Sequence, residues 1–184
     1  MKNTSKIINN AKETILIESN AIANLANLVD KDFEDAVKYI YNANGRVIVT
    51  GIGKSANIAT KIVATLNSTG TPAIFMHAAD AIHGDLGIVQ KDDVVVCLSK
   101  SGNTPEIKVL VPLIKDYGNK IVAITSNKSS YLGSNSDFVL HAYVEKEACP
   151  NNLAPTTSTT AQLVLGDALA VSLLELRAIL SSEF

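Results

Sequence analysis

At 184 residues, 47% hydrophobic and 18% charged, the chain is long enough for one α/β domain with a sizeable core, short for two, and too apolar to be disordered. With 16 basic against 18 acidic residues the net charge is -2 and the pI about 5.9, which excludes the broad basic footprint of a nucleic-acid binder and makes any anion binding local. Met1 to Asn10 lacks the apolar region of a secretory signal, and no uninterrupted apolar run approaches the ~18 residues of a membrane span, so a cytoplasmic protein without a membrane partner is expected.

Between about Thr4 and Leu28, Ile7, Ala11, Ile15, Ile22 and Leu25 recur at mostly helical spacing among polar residues, the pattern of an amphipathic helix. A second helix is expected from Asp32, read as its cap, through Phe33, Ala36, Val37 and Ile40 to a stop at Asn44-Gly45. The pair, at about residues 1–44, reads as an extension that covers the sheet or reaches a partner subunit. From Arg46 the pattern changes to Val47-Ile48-Val49-Thr50, the β-branched run of a strand covered on both faces. Further strands are read at Pro72–Met76, Asp93–Leu98 and Lys120–Ile124, with a short one at Phe138–Leu140. Helices fall between and after them: one carrying Ile58, Ile62, Val63 and Leu66, then Thr104–Tyr117, Ser129–Asn135 and Thr157–Leu180. This alternation predicts a mainly parallel five-stranded sheet with helices on both faces, in one domain spanning residues 1–184. Cys97 falls in a predicted buried strand, where packing explains it, and Cys149 in a loop, as suits a reducing compartment.

Ligands in such folds bind beyond the carboxyl ends of the strands, and three polar loops fall there. Val94 to Leu98 runs into Ser99-Lys100-Ser101-Gly102-Asn103-Thr104, and Pro105 then opens a helix. The unpaired N–H groups and positive dipole of a helix start suit such a loop to an oxyanion such as phosphate, and Lys100 adds charge. Hydroxyls that only cap the helix are the plainer reading of this loop alone, and Asn103 with Glu106 resembles a capping box. Gly51-Ile52-Gly53-Lys54-Ser55-Ala56 follows the first strand; it is not a Walker loop, because Ile48 stands where the first glycine belongs. It matches a loosened dinucleotide fingerprint, but the second strand ends Phe75-Met76-His77 with no acid for a ribose, which makes a nicotinamide cofactor a poor fit. A glycine turn remains, with Lys54 as cation and Ser55 as donor, or equally a strand-to-helix turn with a solvated lysine. In the third loop, Glu147 precedes a hydroxyl-rich helix start at Thr156-Thr157-Ser158-Thr159. His83, before Gly84-Asp85-Leu86-Gly87, can exchange protons near neutral pH or cap a helix, and three histidines, His77, His83 and His141, make a histidine-rich metal site an unsuitable reading. Lys54, His83, Glu106 and Glu147 around a phosphorylated ligand would suit proton transfer next to a carbonyl.

Together these segments resemble the sugar isomerase (SIS) domain family, and within it the arabinose-5-phosphate isomerases of the Kdo pathway. The matching stretches are Thr50 to Ser55, Ser68 to Pro72, His83 to Gly87, Ser99 to Thr104, Lys146 to Pro150, Leu153 to Thr160 and Gly166 to Ala170. The resemblance implies a three-layer α-β-α sandwich, flavodoxin-like and doubly wound. It also implies interconversion of D-ribulose 5-phosphate and D-arabinose 5-phosphate through a cis-enediol, with no cofactor and no metal. Lys54, His83, Glu106 and Glu147 take active-site positions by this resemblance. Glu147 is expected as the base, His83 as a proton carrier between the oxygens or an aid to ring opening, Lys54 as the stabiliser of the enediolate, and Glu106 as an orienting group. Gly53, Ser55, Ser99, Ser101, Gly102, Asn103 and Thr104, with Thr156, Thr157, Ser158 and Thr159, would hold the substrate and its phosphate. Longer relatives continue into a His-Pro-Gly-Gly segment, with a further catalytic histidine, and paired CBS domains; the sequence stops at Phe184, so a short form is expected. Ser55-Ala56-Asn57 stands where relatives often carry Ser-Gly-His. A homo-oligomer, dimer or tetramer, is implied, with the N-terminal helix and Leu163, Val164, Leu169, Val171, Leu173 and Leu174 as interface surfaces and CMP-Kdo as a feedback ligand. Two alternatives stay open: another isomerase of the family such as a 6-phospho-3-hexuloisomerase, against which the Lys-Glu-Ala-Cys-Pro segment argues, and a non-catalytic module sensing a sugar phosphate or CMP-Kdo.

Overall fold

Strands β1 (Val47–Gly51), β2 (Ala73–His77), β3 (Val94–Leu98), β4 (Lys120–Thr125) and β5 (Phe138–His141) form one sheet in the order β2-β1-β3-β4-β5, and every ladder in it is parallel. The computed structural model describes residues 2–177, with side chains from residue 5. Helices α1 (Lys2–Leu25), α2 (Lys31–Asn42), α3 (Lys54–Ser68), α4 (Ala78–Ala81), α5 (Pro105–Asp116), α6 (Tyr131–Asn135) and α7 (Thr157–Arg177) complete the chain, with a 3-10 turn at Asp85–Ile88.

Alternate strand residues point to opposite faces, so the β-branched runs feed two cores. Val47, Val49, Val94, Val96, Val122 and Ile124 pack with α2, α3 and α7, whereas Ile48, Val95, Cys97, Ile121 and Ala123 pack with α4, α5 and α6. Each fully buried aliphatic side chain contributes roughly 1.5–3 kcal/mol relative to exposure, which makes these two layers the main source of stability. The result is the three-layer α-β-α sandwich expected from the sequence. By length and composition α7 could cross a membrane, yet Ala161, Leu165, Leu169 and Leu173 are buried in this domain's own core.

Several boundaries differ from the sequence reading. Asp30, not Asp32, caps α2, accepting the Asp32 N–H at 3.1 Å, while Asp32 reaches over to the Val139 N–H at 3.3 Å. The chain between β2 and β3, where no element was expected, contains α4 and the 3-10 turn, each too short to show a periodic pattern. Leu180, the expected end of the last helix, lies outside the described residues. Leu169 and Leu173, expected at an interface, instead pack inside the domain, because the α7 face that carries them meets the sheet and α3; Val171 is the exposed member of that set.

The amino rim of the sheet is closed by one buried carboxylate. Asp93 accepts from the Arg46 N–H at 2.8 Å and the Gln90 N–H at 2.9 Å and pairs with the Arg46 guanidinium at 2.7 Å. Asn119 donates to the Gln90 and Asp93 carbonyls at 2.7 and 2.8 Å, joining the start of β4 to that of β3. Burial pushes the Asp93 acid up, but the hydrogen bonds from Arg46 and Gln90 outweigh it and hold the group below the usual carboxylate range.

Candidate active site

At the carboxyl rim α3 leaves β1 toward one face and α5 leaves β3 toward the other, so the winding reverses between two neighbouring strands and opens a crevice there. A cleft of about 280 Å³ occupies the position. Ile52, Lys54 and Ser55 line it from the β1–α3 turn, Leu98, Ser99, Lys100, Ser101 and Thr104 from the β3–α5 loop, and Pro155, Ser158 and Thr159 from the start of α7. Three helix starts therefore converge on one place, each with the positive end of a dipole, and those of α3 and α5 have no side-chain cap on their N–H groups.

Gly53 begins the first of these at φ 58 and ψ -127, a conformation that side-chain-bearing residues rarely adopt, and α3 has no side-chain cap. Ser55 donates its hydroxyl to Oε1 of the buried Gln162 at 3.1 Å. Lys54 is exposed and makes no hydrogen bond or ion pair among the described residues.

The second loop is braced from within. Ser99 Oγ accepts the Gly102 N–H at 3.1 Å and Ser101 Oγ the Asn103 N–H at 3.2 Å. Gly102, at φ +65, lies so close to α6 that an added Cβ would stand 1.9 Å from Ser130 Oγ. Asn103 accepts the Tyr131 N–H at 3.0 Å, so its side chain ties the loop to α6. The expected capping box is therefore not formed: Thr104 is the N-cap of α5, and Glu106, in the first turn, makes no hydrogen bond or ion pair among the described residues. Thr104 Oγ1 is buried without a partner at the edge of the cleft, a donor free for a ligand.

Glu147 is the most heavily bonded group in the region. Its side chain is 1% exposed and pairs with Lys100 Nζ at 2.6 Å through Oε1, which also accepts the Ser158 hydroxyl at 2.5 Å. Oε2 accepts the N–H groups of Thr156 at 2.9 Å and Ser158 at 3.1 Å, and the Thr156 hydroxyl at 3.3 Å. Glu147 is thus the cap of α7, supplied from outside the helix. Burial pushes its acid up, but the hydrogen bonds from Lys100, Ser158 and Thr156 outweigh burial and bring it down to about 2. Thr156 and Thr157 both accept the Ala148 N–H at 3.0 Å and so hold the turn that carries Glu147.

The cleft thus gathers Lys54, Ser55, Ser99, Ser101, Thr104, Ser158 and Thr159, with Glu147 behind it. Gly53, Gly102, Asn103, Thr156 and Thr157 shape and brace the loops. His83 is exposed on the turn between α4 and the 3-10 segment and, like Glu106, is not among the lining residues. Two contacts were not foreseen from the sequence. Gln162 follows Ser158 by four residues, one helical turn along the same face, a spacing that sequence alone offers. The Lys100–Glu147 pair bridges 47 residues and needed the fold.

This arrangement defines an open, doubly wound α/β protein whose helix starts surround a donor-rich cleft at the switch point. The SIS domain profile matches residues 39–172, and the chain belongs to the SIS domain family. It is 49% identical over 180 residues to arabinose 5-phosphate isomerase KdsD of Francisella tularensis, covering 96% of this chain and 55% of that protein. To KdsD of Pseudomonas aeruginosa it is 47% identical over 184 residues, covering 100% of this chain and 56% of that one. The chain spans about half the length of the curated relatives it matches. The structure of an Escherichia coli CFT073 protein in complex with arabinose 5-phosphate superposes with a TM-score of 0.93 at 37% identity, covering 97% of this chain and 95% of that one. NanR of Vibrio vulnificus, complexed with ManNAc-6P, shares the fold at a TM-score of 0.76 and 21% identity, over 90% of this chain and 62% of that one.

Proposed function

We propose that this chain is an aldose–ketose isomerase interconverting D-arabinose 5-phosphate and D-ribulose 5-phosphate, serving Kdo and lipopolysaccharide biosynthesis. The observation that carries this reading is the likeness, at a TM-score of 0.93 and nearly full length in both chains, to the E. coli CFT073 protein in complex with arabinose 5-phosphate.

The chemistry of the cleft supports it. Hydroxyls of Ser55, Ser99, Ser101, Thr104, Ser158 and Thr159, with the N–H groups at the starts of α3 and α5, seat the phosphate and so fix one end of an open-chain pentose. Glu147 takes the C2 proton of the aldose, and the C2–H electron pair moves to form the C1–C2 double bond while the carbonyl oxygen gains negative charge. Lys54 stabilises that charge, and a proton relayed by His83 gives the neutral cis-enediol. Delivery of a proton from Glu147, which can exchange with solvent in the meantime, to C1, with loss of the O2 proton, completes the ketose. His83 also assists ring opening. The reaction exchanges protons only and needs no redox cofactor. The protein works in the cytoplasm as a dimer or tetramer, with CMP-Kdo as a feedback ligand.

The test is solvent exchange. Incubating purified protein with arabinose 5-phosphate in deuterium oxide should give ribulose 5-phosphate and deuterium at C2 of the recovered aldose. Binding of the sugar phosphate without exchange would show a sensing module instead.

A further inference from the structure

Both lone-pair sites of each Glu147 oxygen are engaged, since five donors meet one carboxylate. A carboxylate in that condition has no free electron pair to offer a C–H bond. The donors are not equivalent. The three on Oε2 belong to the fixed start of α7, whereas the two on Oε1, Lys100 Nζ and Ser158 Oγ, both belong to residues lining the cleft. Oε2 is thus bound to the scaffold, and Oε1 is bound to groups that a cleft ligand can recruit.

We propose that Lys100 is a phosphate-operated latch: its ammonium and the Ser158 hydroxyl hold Oε1 of Glu147, and a phosphate entering the cleft takes both donors and leaves Oε1 open to the sugar. The inference rests on the isomerase reading above and deepens it by assigning Lys100 as a positioning residue. Three features favour the exchange of partners. Lys100 has a flexible stem and a side chain 44% exposed, so its ammonium can swing without unpacking the core. A phosphate dianion outcompetes a single carboxylate for a cation, the more so beside three helix starts. Lys54 and Lys100 are the titratable side chains lining the cleft among the described residues, so no other anion competes with Glu147 for Lys100.

The device links recognition to chemistry. A carboxylate whose acid lies at about 2 is a poor base, and loss of two donors on Oε1 raises its basicity only once the phosphate is seated. Sugars without a phosphate would meet a latched base.

The test is run at mildly alkaline pH, where inorganic phosphate is mostly the dianion, and follows the Glu147 side-chain carboxyl carbon by 13C NMR, assigned through Glu147→Gln, as phosphate is added. In the unaltered protein, phosphate should shift this resonance as two donors leave Oε1. In Lys100→Met the resonance should start displaced and move little on adding phosphate, while Lys100→Arg should behave as the parent. Phosphate that perturbs the amides of Ser99 to Thr104 yet leaves the Glu147 resonance in place would overturn the latch and leave the phosphate seat standing. No perturbation anywhere in the cleft would remove both.

Discussion

Ser158 binds Glu147 twice, donating its N–H to Oε2 at 3.1 Å and its hydroxyl to Oε1 at 2.5 Å. One residue of α7 thereby ties the folding of a helix start to the protonation chemistry of the cleft. Glu147→Gln puts an amide NH2 where N–H and O–H donors already converge and leaves Lys100 unpaired. Unfolding free energy should drop by roughly 2–4 kcal/mol and turnover at least about a hundredfold. Thermal unfolding and ribulose 5-phosphate formation measured on the same sample check both; full turnover would remove Glu147 as the base.

Acid should destabilise the protein through the same carboxylate. Glu147 titrates near 4.5 in the unfolded chain and at about 2 when folded, so its contribution is present above 4.5 and is lost as pH falls toward 2. That contribution is about 3 kcal/mol. The stability difference between the parent and Glu147→Gln, read from urea unfolding at a series of pH values, should shrink across this window. A difference independent of pH would sink the assignment. Asp93, also lowered, adds to the loss in both proteins.

Gly102→Ala should damage the phosphate seat and the fold together. The new Cβ meets Ser130 Oγ at 1.9 Å and Ser130 Cβ at 2.6 Å, and φ +65 is strained for alanine. A loss of about 1–3 kcal/mol is expected, with a raised KM for arabinose 5-phosphate. Unchanged stability and KM would show that the β3–α5 loop is not held as tightly as its contact with α6 implies.

Lys54→Met separates chemistry from stability. The side chain is exposed and has no partner among the described residues, so the unfolding temperature should stay within about a degree of the parent, the effect of a neutral surface change. Turnover should fall about a hundredfold or more if Lys54 stabilises the enediolate. Retained turnover would assign the lysine to the solvated turn instead.

The two thiols should differ sharply toward iodoacetamide. Burial pushes Cys97 up to about 12, whereas the N–H groups of Ala154, Leu153 and Asn151 lower Cys149, which is partly exposed. Mass spectrometry of briefly treated native protein should find the label on Cys149 and not on Cys97. Equal labelling would contradict the burial of β3.

The sheet was legible because its strands are buried on both faces: Val47 to Thr50 and Val94 to Leu98 are continuous apolar or β-branched runs that no surface element would carry. The three loops were legible as well, since hydroxyls and glycine at strand ends have few other uses. Caps were not. Asp30 and Asp32 both satisfy the N-cap preference, and only the path of the chain toward Val139 sets their separate tasks. Asn103 and Glu106 have the spacing of a capping box, but α6 engages Asn103 first, a competition between distant segments that no local pattern encodes. The Glu147 cap is similar: the helix it serves begins ten residues later in the sequence, beyond the reach of any rule for neighbouring residues.

The closed amino rim around Asp93 and the open carboxyl rim around the cleft stand a strand apart, about 16 Å for five residues. Changes at the two ends share no side chain, so their energetic effects should sum to within roughly 0.3–0.5 kcal/mol. The lower rim can therefore be redesigned for heat tolerance, by reinforcing the Arg46 and Asn119 contacts, while substrate preference is altered independently above it.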